Sequence, residues 1–278
     1  MDKQLSKKEQ LRLKSKYGEW AIVTGASSGI GLALSTQLAA AGFNLLLVAR
    51  TAAKLHAVTQ ALQKQYSVTI KAIAADVAET DGHRQIMEAA EGLQTGLLIH
   101  SAGFGTSGLF TEASINDEVE MLRVNCEAVL LLSHWFGKIF QQQKRGGVIF
   151  LSSLVAFQGV PYSANYAASK AYVQSFAEAF AIEMKPFGVD VLSAAPGPVN
   201  SGFGERARMN MGRAMDPSTI SVPILQALGR STTVVPGILS KVLVYALRTV
   251  PRWAKVRIMK QVMLGFTRNK TTNPYFNQ

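Results

Sequence analysis

The chain alternates short apolar runs with longer segments in which apolar residues recur every three or four positions. Trp20–Thr24 is a strand-like run that ends in Gly25. A helical pattern follows over 30–41 and stops at Gly42. Asn44–Ala49 is a second apolar run, after which helical periodicity resumes through Lys54, Leu55, Val58, Leu62 and Tyr66. The alternation continues with a strand at 68–74, a helix at 78–93, a strand at 96–100 and a long helical stretch at 114–143. A strand at 147–151, a helix at 165–186 and a strand at Val189–Ala194 complete it. Near-continuously apolar strands separated by helices predict an α/β fold with one doubly wound parallel sheet, covered on both faces.

No linker rich in Pro, Gly or Ser and no internal repeat divides this pattern, so a single domain is expected over 19–236. A basic segment, 1–18, precedes it. Residues 201–216 are rich in Gly, Met and Arg without a period, and read as a loop, either a plain surface loop or one that covers a substrate. A last short strand at 232–235 leads to Pro236-Gly237. A helical extension over 237–278 follows, broken at Pro251. Leu239, Val242, Leu243, Ala246 and Val250 can form one apolar stripe of the extension. Trp253, Val256, Met259, Val262, Met263 and Phe266 can form another.

Composition changes the picture little: 48% hydrophobic and 17% charged residues in a 278-residue chain exclude disorder and low complexity. The single cysteine, Cys126, excludes a disulfide framework and any Cys-rich zinc or iron–sulfur site, and no metal is expected. No apolar run approaches the roughly 18 residues of a membrane-spanning helix. Residues 1–17 lack the apolar stretch of a signal peptide, so a cytosolic location is expected.

Charge adds more. The net charge is +11, divided as +3 over residues 1–20, −1 over 21–216 and +9 over 217–278, where no acidic residue occurs. A nucleic-acid reader carries its basic patch on the folded body, among aromatic side chains, and none is expected here. The basic extension leaves three readings open: an anionic membrane face, a solvated helix surface, or a cover over one end of the sheet or a subunit interface.

The first strand runs into Thr24-Gly25-Ala26-Ser27-Ser28-Gly29-Ile30-Gly31, where a helix starts. Glycines at a strand-to-helix turn let backbone N–H groups approach a pyrophosphate, which the helix N-terminus favours electrostatically. Gly25, Ser27, Ser28, Gly29, Ile30 and Gly31 are therefore candidate cofactor contacts. Sites for NAD place an Asp or Glu about 20 residues further on, to hold the ribose 2′-hydroxyl. This chain has no acidic residue between Glu19 and Asp76. Arg50, Thr51 and Lys54 stand there instead, and a guanidinium pairs well with a 2′-phosphate. NADP(H) is the expected cofactor.

The turn TGASSGIG resembles that of the short-chain dehydrogenase/reductase family, and the likeness continues over nearly 180 residues. Asp76-Val77 is similar to the family's adenine-contacting pair, and Ala102-Gly103 follows the fourth strand. Asn125 lies in the fourth helix, and Ser153 precedes Tyr166 by the family's spacing. Tyr166-Ala167-Ala168-Ser169-Lys170 resembles its Tyr-x-x-x-Lys signature. Pro196-Gly197-Pro198-Val199-Asn200-Ser201 resembles the turn that meets the nicotinamide, with Ser201 for the usual Thr. His100-Ser101 departs from the usual Asn-Asn, and His100 is expected to be a packed core residue. The resemblance implies a Rossmann fold, cofactor contacts from Pro196, Gly197, Val199 and Ser201, and pairing of two copies through the long fourth and fifth helices.

It also implies carbonyl–alcohol chemistry. Tyr166 would give the proton, Lys170 would lower its pKa and hold the nicotinamide ribose, and Ser153 would polarise the substrate carbonyl. Asn125 would bind a water that relays protons to Lys170. Four-residue spacing places Tyr166 and Lys170 on one helix face, where their side chains can converge. The extension resembles bacterial reductases of the DltE-like branch. Tyr17-Gly18-Glu19-Trp20-Ala21 resembles the hydroxysteroid dehydrogenase and very-long-chain ketoacyl reductase branch. Both imply a hydrophobic ketone or 3-oxoacyl substrate. A nucleotide-sensing or membrane-surface binding protein is the rival reading, and the intact Ser153, Tyr166 and Lys170 argue against it.

Overall fold

The structure is a computed structural model that describes residues 4–212 and 214–267. Residues 1–3 of the expected N-terminal segment, Arg213 of the expected loop and residues 268–278 of the expected extension lie outside it. Seven parallel strands form one sheet in the order β3-β2-β1-β4-β5-β6-β7. They are β1 (Trp20–Thr24), β2 (Asn44–Ala49), β3 (Ile70–Ala74), β4 (Thr95–His100), β5 (Gly146–Leu151), β6 (Val189–Ala194) and β7 (Thr233–Val234). Every residue of β1, β4 and β5 is buried, which is why these strands read as unbroken apolar runs rather than alternating ones. Only β3, near the sheet edge, exposes most of its side chains.

Helices cover both faces. On one lie α1 (Lys7–Tyr17), α2 (Gly29–Ala40), α3 (Ala52–Gln65) and α9 (Pro217–Ala227), packed through Leu13, Leu34, Leu38, Leu55 and Leu225. On the other lie α4 (Thr80–Ala90), α6 (Ala128–Gln143) and α7 (Ala164–Met184), packed through Ile86, Leu132, Phe136, Val173 and Ala177. The stretch expected at 114–143 is α5 (Ile115–Leu122) and α6, joined by a π-helical turn at Arg123–Glu127. The 201–216 loop holds one turn of helix, α8 (Phe203–Arg206). The extension is α10 (Ile238–Arg248) and α11 (Arg252–Thr267), parted at Pro251 as its sequence predicts.

The N-terminal segment is more than a charged lead. Leu5, just before the helix, and Glu9, Leu13 and Tyr17 within it fall four apart, so one buried line runs along a helix that is otherwise polar except for the exposed Leu11. Ser6 caps it by accepting from the Glu9 amide, and Glu9 pairs with Arg12 at 2.9 Å and Arg230 at 2.6 Å. Those cations hold the Glu9 carboxyl below its ordinary range against the opposing effect of burial. Tyr17 donates to Asp190 at 2.5 Å, and its backbone carbonyl lies so close to Gly96 that no side chain fits there. This helix therefore seals the end of β4 and β5 away from the site.

Leu13 is wholly buried. Leu13→Ala is expected to lower unfolding free energy by about 2–5 kcal/mol in urea titration. A loss well under 1 kcal/mol would show that α1 is not part of the core.

Candidate active site

The site forms where β1 and β4 end side by side. Thr24 Oγ1 accepts from the amides of Ser101 at 3.2 Å and Ala102 at 3.1 Å, clipping the two strand ends together. Gly25 has φ +68°, and a Cβ there would stand 2.7 Å from the Ala102 nitrogen. Gly29 has φ +55°, and a Cβ there would meet Ser201 Cβ at 2.7 Å. Both positions require glycine. Ser28, at the N-cap of α2, makes no side-chain cap hydrogen bond, which leaves the first-turn amides available to an anion. The cradle fits a dinucleotide pyrophosphate. Gly31 supplies the close helix–strand packing of the motif's last glycine. It packs against the Gly25 carbonyl, holding helix to strand, and does not line the cleft.

A cavity of about 650 Å³ runs from this turn past the ends of β2, β4 and β5 to the extension. Ser27, Ser28, Ile30, Ala102 and Gly103 line it beside the glycine turn, and Arg50, Thr51, Lys54, Asp76 and Val77 line it beyond the ends of β2 and β3. Arg50 is not free there. Its Nη1 donates to Glu120 Oε1 at 2.9 Å and lies 3.5 Å from Asp76 Oδ2. The same Glu120 oxygen accepts from Arg206 Nη2 at 2.8 Å. The sequence shows no acid near Arg50, but the fold brings one in from α5. Nothing local in the sequence marks Glu120.

Tyr166 and Lys170 project from the first turns of α7, and Ser153 follows the end of β5, where its hydroxyl accepts from the Val155 amide at 3.4 Å. All three line the cavity, as do Pro196, Gly197, Val199 and Ser201. Lys170 Nζ donates to the Leu151 carbonyl at 2.9 Å and lies 5.9 Å from the Tyr166 ring centroid. Asn125 lies in the π-helical turn, behind the cavity wall. Its Nδ2 donates to the Phe104 carbonyl at 2.9 Å and Ser169 Oγ at 3.0 Å, and its Oδ1 accepts from the Phe104 amide at 3.2 Å. A Cβ on Gly103 would fall 3.0 Å from Asn125 Oδ1 and 3.2 Å from Lys170 Nζ, so the two converge behind this glycine.

Burial governs the charges. It pushes the Tyr166 phenol up to about 12, with a hydrogen bond from Ser153 pulling the other way. It pushes the Lys170 ammonium down to about 8. The phenol is therefore raised where a lowering by Lys170 was expected: loss of water around it dominates, and the group that opposes this is Ser153.

The family model for short chain dehydrogenases matches residues 19–212. The chain belongs to this family. A 7beta-hydroxysteroid dehydrogenase of Collinsella aerofaciens is 29% identical over 82% of this chain and 89% of its own. A very-long-chain 3-oxoacyl-CoA reductase-like protein of Arabidopsis thaliana is 33% identical over 87% of this chain and 75% of its own. Among solved structures, a 7beta-hydroxysteroid dehydrogenase superposes with a TM-score of 0.82 at 27% identity, covering 89% of this chain and 98% of its own. A short-chain dehydrogenase of Sphingobium yanoikuyae in complex with NADPH shares the fold, with a TM-score of 0.75 at 23% identity over 92% and 99% of the two chains. The present chain is thus an oxidoreductase of the short-chain dehydrogenase family.

In this short-chain dehydrogenase three further groups wall the cavity. Phe203 of α8 lies 5.2 Å, ring to ring, from Tyr166, and Arg206 stacks 3.3 Å over the Phe104 ring. From the extension come Leu247, Met259, Met263 and Phe266, with Met263 buried against Val160 and Ala167. The 253–266 stripe seen in the sequence is the signal for this last wall. Its destination, the roof of the site, is not written there. Cys126 is half-buried, its thiol raised by burial and 3.8 Å from the Ser169 carbonyl. No helix among the described residues is long and apolar enough to cross a membrane.

His100 is core, as its place at a strand end suggests. It is buried, stacked 5.0 Å from Phe150, and hydrogen-bonded through Nε2 to Ser133 Oγ at 3.0 Å. Burial pushes it down to about 3, whereas an unfolded histidine takes a proton near 6.5. The unfolded chain thus binds the extra proton between those values, and stability falls as pH drops through that window. The slope attributable to His100 reaches about 1.4 kcal/mol per pH unit. Urea unfolding at several acidic pH values should show a shallower loss for His100→Gln than for the unaltered chain; parallel losses would contradict this.

Proposed function

We propose that this short-chain dehydrogenase is an NADPH-dependent reductase of large apolar ketones or 3-oxoacyl groups, also competent in the reverse oxidation. The observation that carries the reading is the meeting of Ser153, Tyr166 and Lys170 at the floor of a cavity whose outer walls are Met259, Met263, Phe266, Leu247 and Phe203. Bound NADPH supplies the hydride. Gly25, Gly29 and the first amides of α2 would hold its pyrophosphate, and Lys170, Val199 and Ser201 would hold its nicotinamide end. Ser153 donates to the carbonyl oxygen and polarises it. Tyr166 gives its proton to the alkoxide that forms. A phenol near 12 stays protonated at neutral pH yet is far more acidic than the alcohol that the alkoxide becomes, so it suits the reductive direction. Lys170 holds the ribose and, through a water carried by Asn125, restores the proton.

NADPH rather than NADH is supported by Arg50 and Lys54 at the end of β2 and by the absence of a carboxylate in that loop. Glu120 competes for Arg50, so the 2′-phosphate must draw the guanidinium away. Pairing of two copies through α5–α7 is supported by exposed Val119, Leu122, Leu130, Leu131, Tyr172 and Ile182 along these helices.

Tyr166→Phe keeps the ring and should retain NADPH affinity while turnover of an apolar ketone falls at least about 100-fold. Lys170→Ala should lose both turnover and affinity, and the double variant should be no worse than about the poorer single one. Near-normal turnover by Tyr166→Phe would mean that the proton comes from elsewhere. Alcohol oxidation, which needs the phenolate, should rise with pH through the alkaline range, while ketone reduction should not.

For the cofactor, Arg50→Ala should weaken NADPH by about 1.5–3 kcal/mol and leave NADH nearly unchanged. Glu120→Gln should tighten NADPH, because it removes a rival for Arg50. Fluorescence titration reads both, and equal affinity of the unaltered protein for NADPH and NADH would refute the preference.

A further inference from the structure

Helix α10 is made largely of apolar residues, yet few of them are covered. Ile238 is 84% exposed, Tyr245 63% and Val242 56%, and on α11 Trp253 is 64% exposed. Cations are interspersed: Lys241, Arg248, Arg252, Lys255, Arg257 and Lys260, with no acidic residue anywhere from 217 to 278. The Arg257 guanidinium lies 5.1 Å from the Trp253 ring centroid. Apolar side chains without cover, set among unopposed cations, call for an apolar, anionic counterpart.

The surface is continuous with the catalytic cavity. Leu243, Ile258 and Val262 line the cavity and are also exposed, so they form its rim. The two helices thus carry one set of apolar residues inward over Tyr166 and another outward, around the mouth. A second copy is a poor cover, because a two-fold contact through this face would set cation against cation.

We propose that α10 and α11 dock this protein on an anionic lipid surface. Trp253, Val242, Tyr245 and Ile238 enter the boundary between headgroups and acyl chains, and the lysines and arginines lie at the headgroups. The cavity mouth then opens on the bilayer, so a lipophilic ketone reaches Tyr166 without crossing bulk water. The delivery step rests on the reductase reading; the docking does not.

The test is sedimentation of the full chain with vesicles of phosphatidylcholine, alone or mixed with phosphatidylglycerol. The protein should sediment with the mixed vesicles and far less with the neutral ones. Added salt should weaken binding, and the Trp253 emission should shift to the blue. A Lys241→Gln, Arg248→Gln, Arg252→Gln variant should bind on the order of 100-fold more weakly. A Val242→Glu, Trp253→Glu variant should not bind. Both change exposed positions, and unaltered circular dichroism and NADPH affinity establish that they fold. Failure of the unaltered chain to sediment with anionic vesicles, or undiminished binding by both variants, overturns the proposal. So does a sedimentation-velocity result in which the glutamate variant loses an oligomer but not vesicle binding, since a second copy then covers the face. Turnover of a water-soluble ketone without vesicles is measured alongside, so failure of docking and failure of catalysis are told apart.

Discussion

The site exists because β1 and β4, distant in sequence, lie side by side in the sheet. The chain leaves β1 toward one face and β4 toward the other, and the cleft opens between these departures. Its floor must be thin. Gly25 lies in van der Waals contact with the Ala102 backbone, Gly31 packs on the Gly25 carbonyl, and Thr24 ties both strand ends with one hydroxyl. A side chain at either glycine would separate the strands from α2 and remove the cradle whose shape fits a pyrophosphate. Ser153, at the end of β5, and Ser201, beyond β6, are delivered to the same edge by the parallel order of the strands.

Desolvation sets the chemistry within that frame. Tyr166 and Lys170 are both buried, and each is shifted toward its neutral form. The closeness of Lys170 to Gly103 and its hydrogen bond to the Leu151 carbonyl leave the ammonium fixed rather than free to roam. The π-helical turn serves the same end, for it places Asn125 where its amide braces the Phe104 backbone and Ser169 beneath the lysine. The largely apolar roof from α8, α10 and α11 narrows the cavity and shapes the space left to a substrate.

The central strands and the glycine turn were legible in the sequence because a parallel strand buried on both faces leaves an unbroken apolar run. Tyr166, Lys170 and Ser153 were legible through spacing and family likeness. Three features were not. The line Leu5, Glu9, Leu13, Tyr17 repeats every four residues, but nine charges in residues 1–20 mask it. Glu120 reaches Arg50 only through tertiary packing of α5, so the loop after β2 carries no carboxylate in sequence while the folded site does. The stripe on α11 was visible, but its partner surface, Val160, Ala167 and the cavity, is non-local.

The central claim is that this cleft moves a hydride between NADPH and a carbonyl carbon while Tyr166 moves the proton. Its most direct measurement follows the isotope: the protein is incubated with an apolar ketone and NADPH deuterated at the transferring position of the nicotinamide, and the alcohol is weighed by mass spectrometry. The account predicts an alcohol with a single deuterium, on the carbinol carbon. An alcohol without the label, or no alcohol from any apolar ketone despite tight NADPH binding, would contradict it.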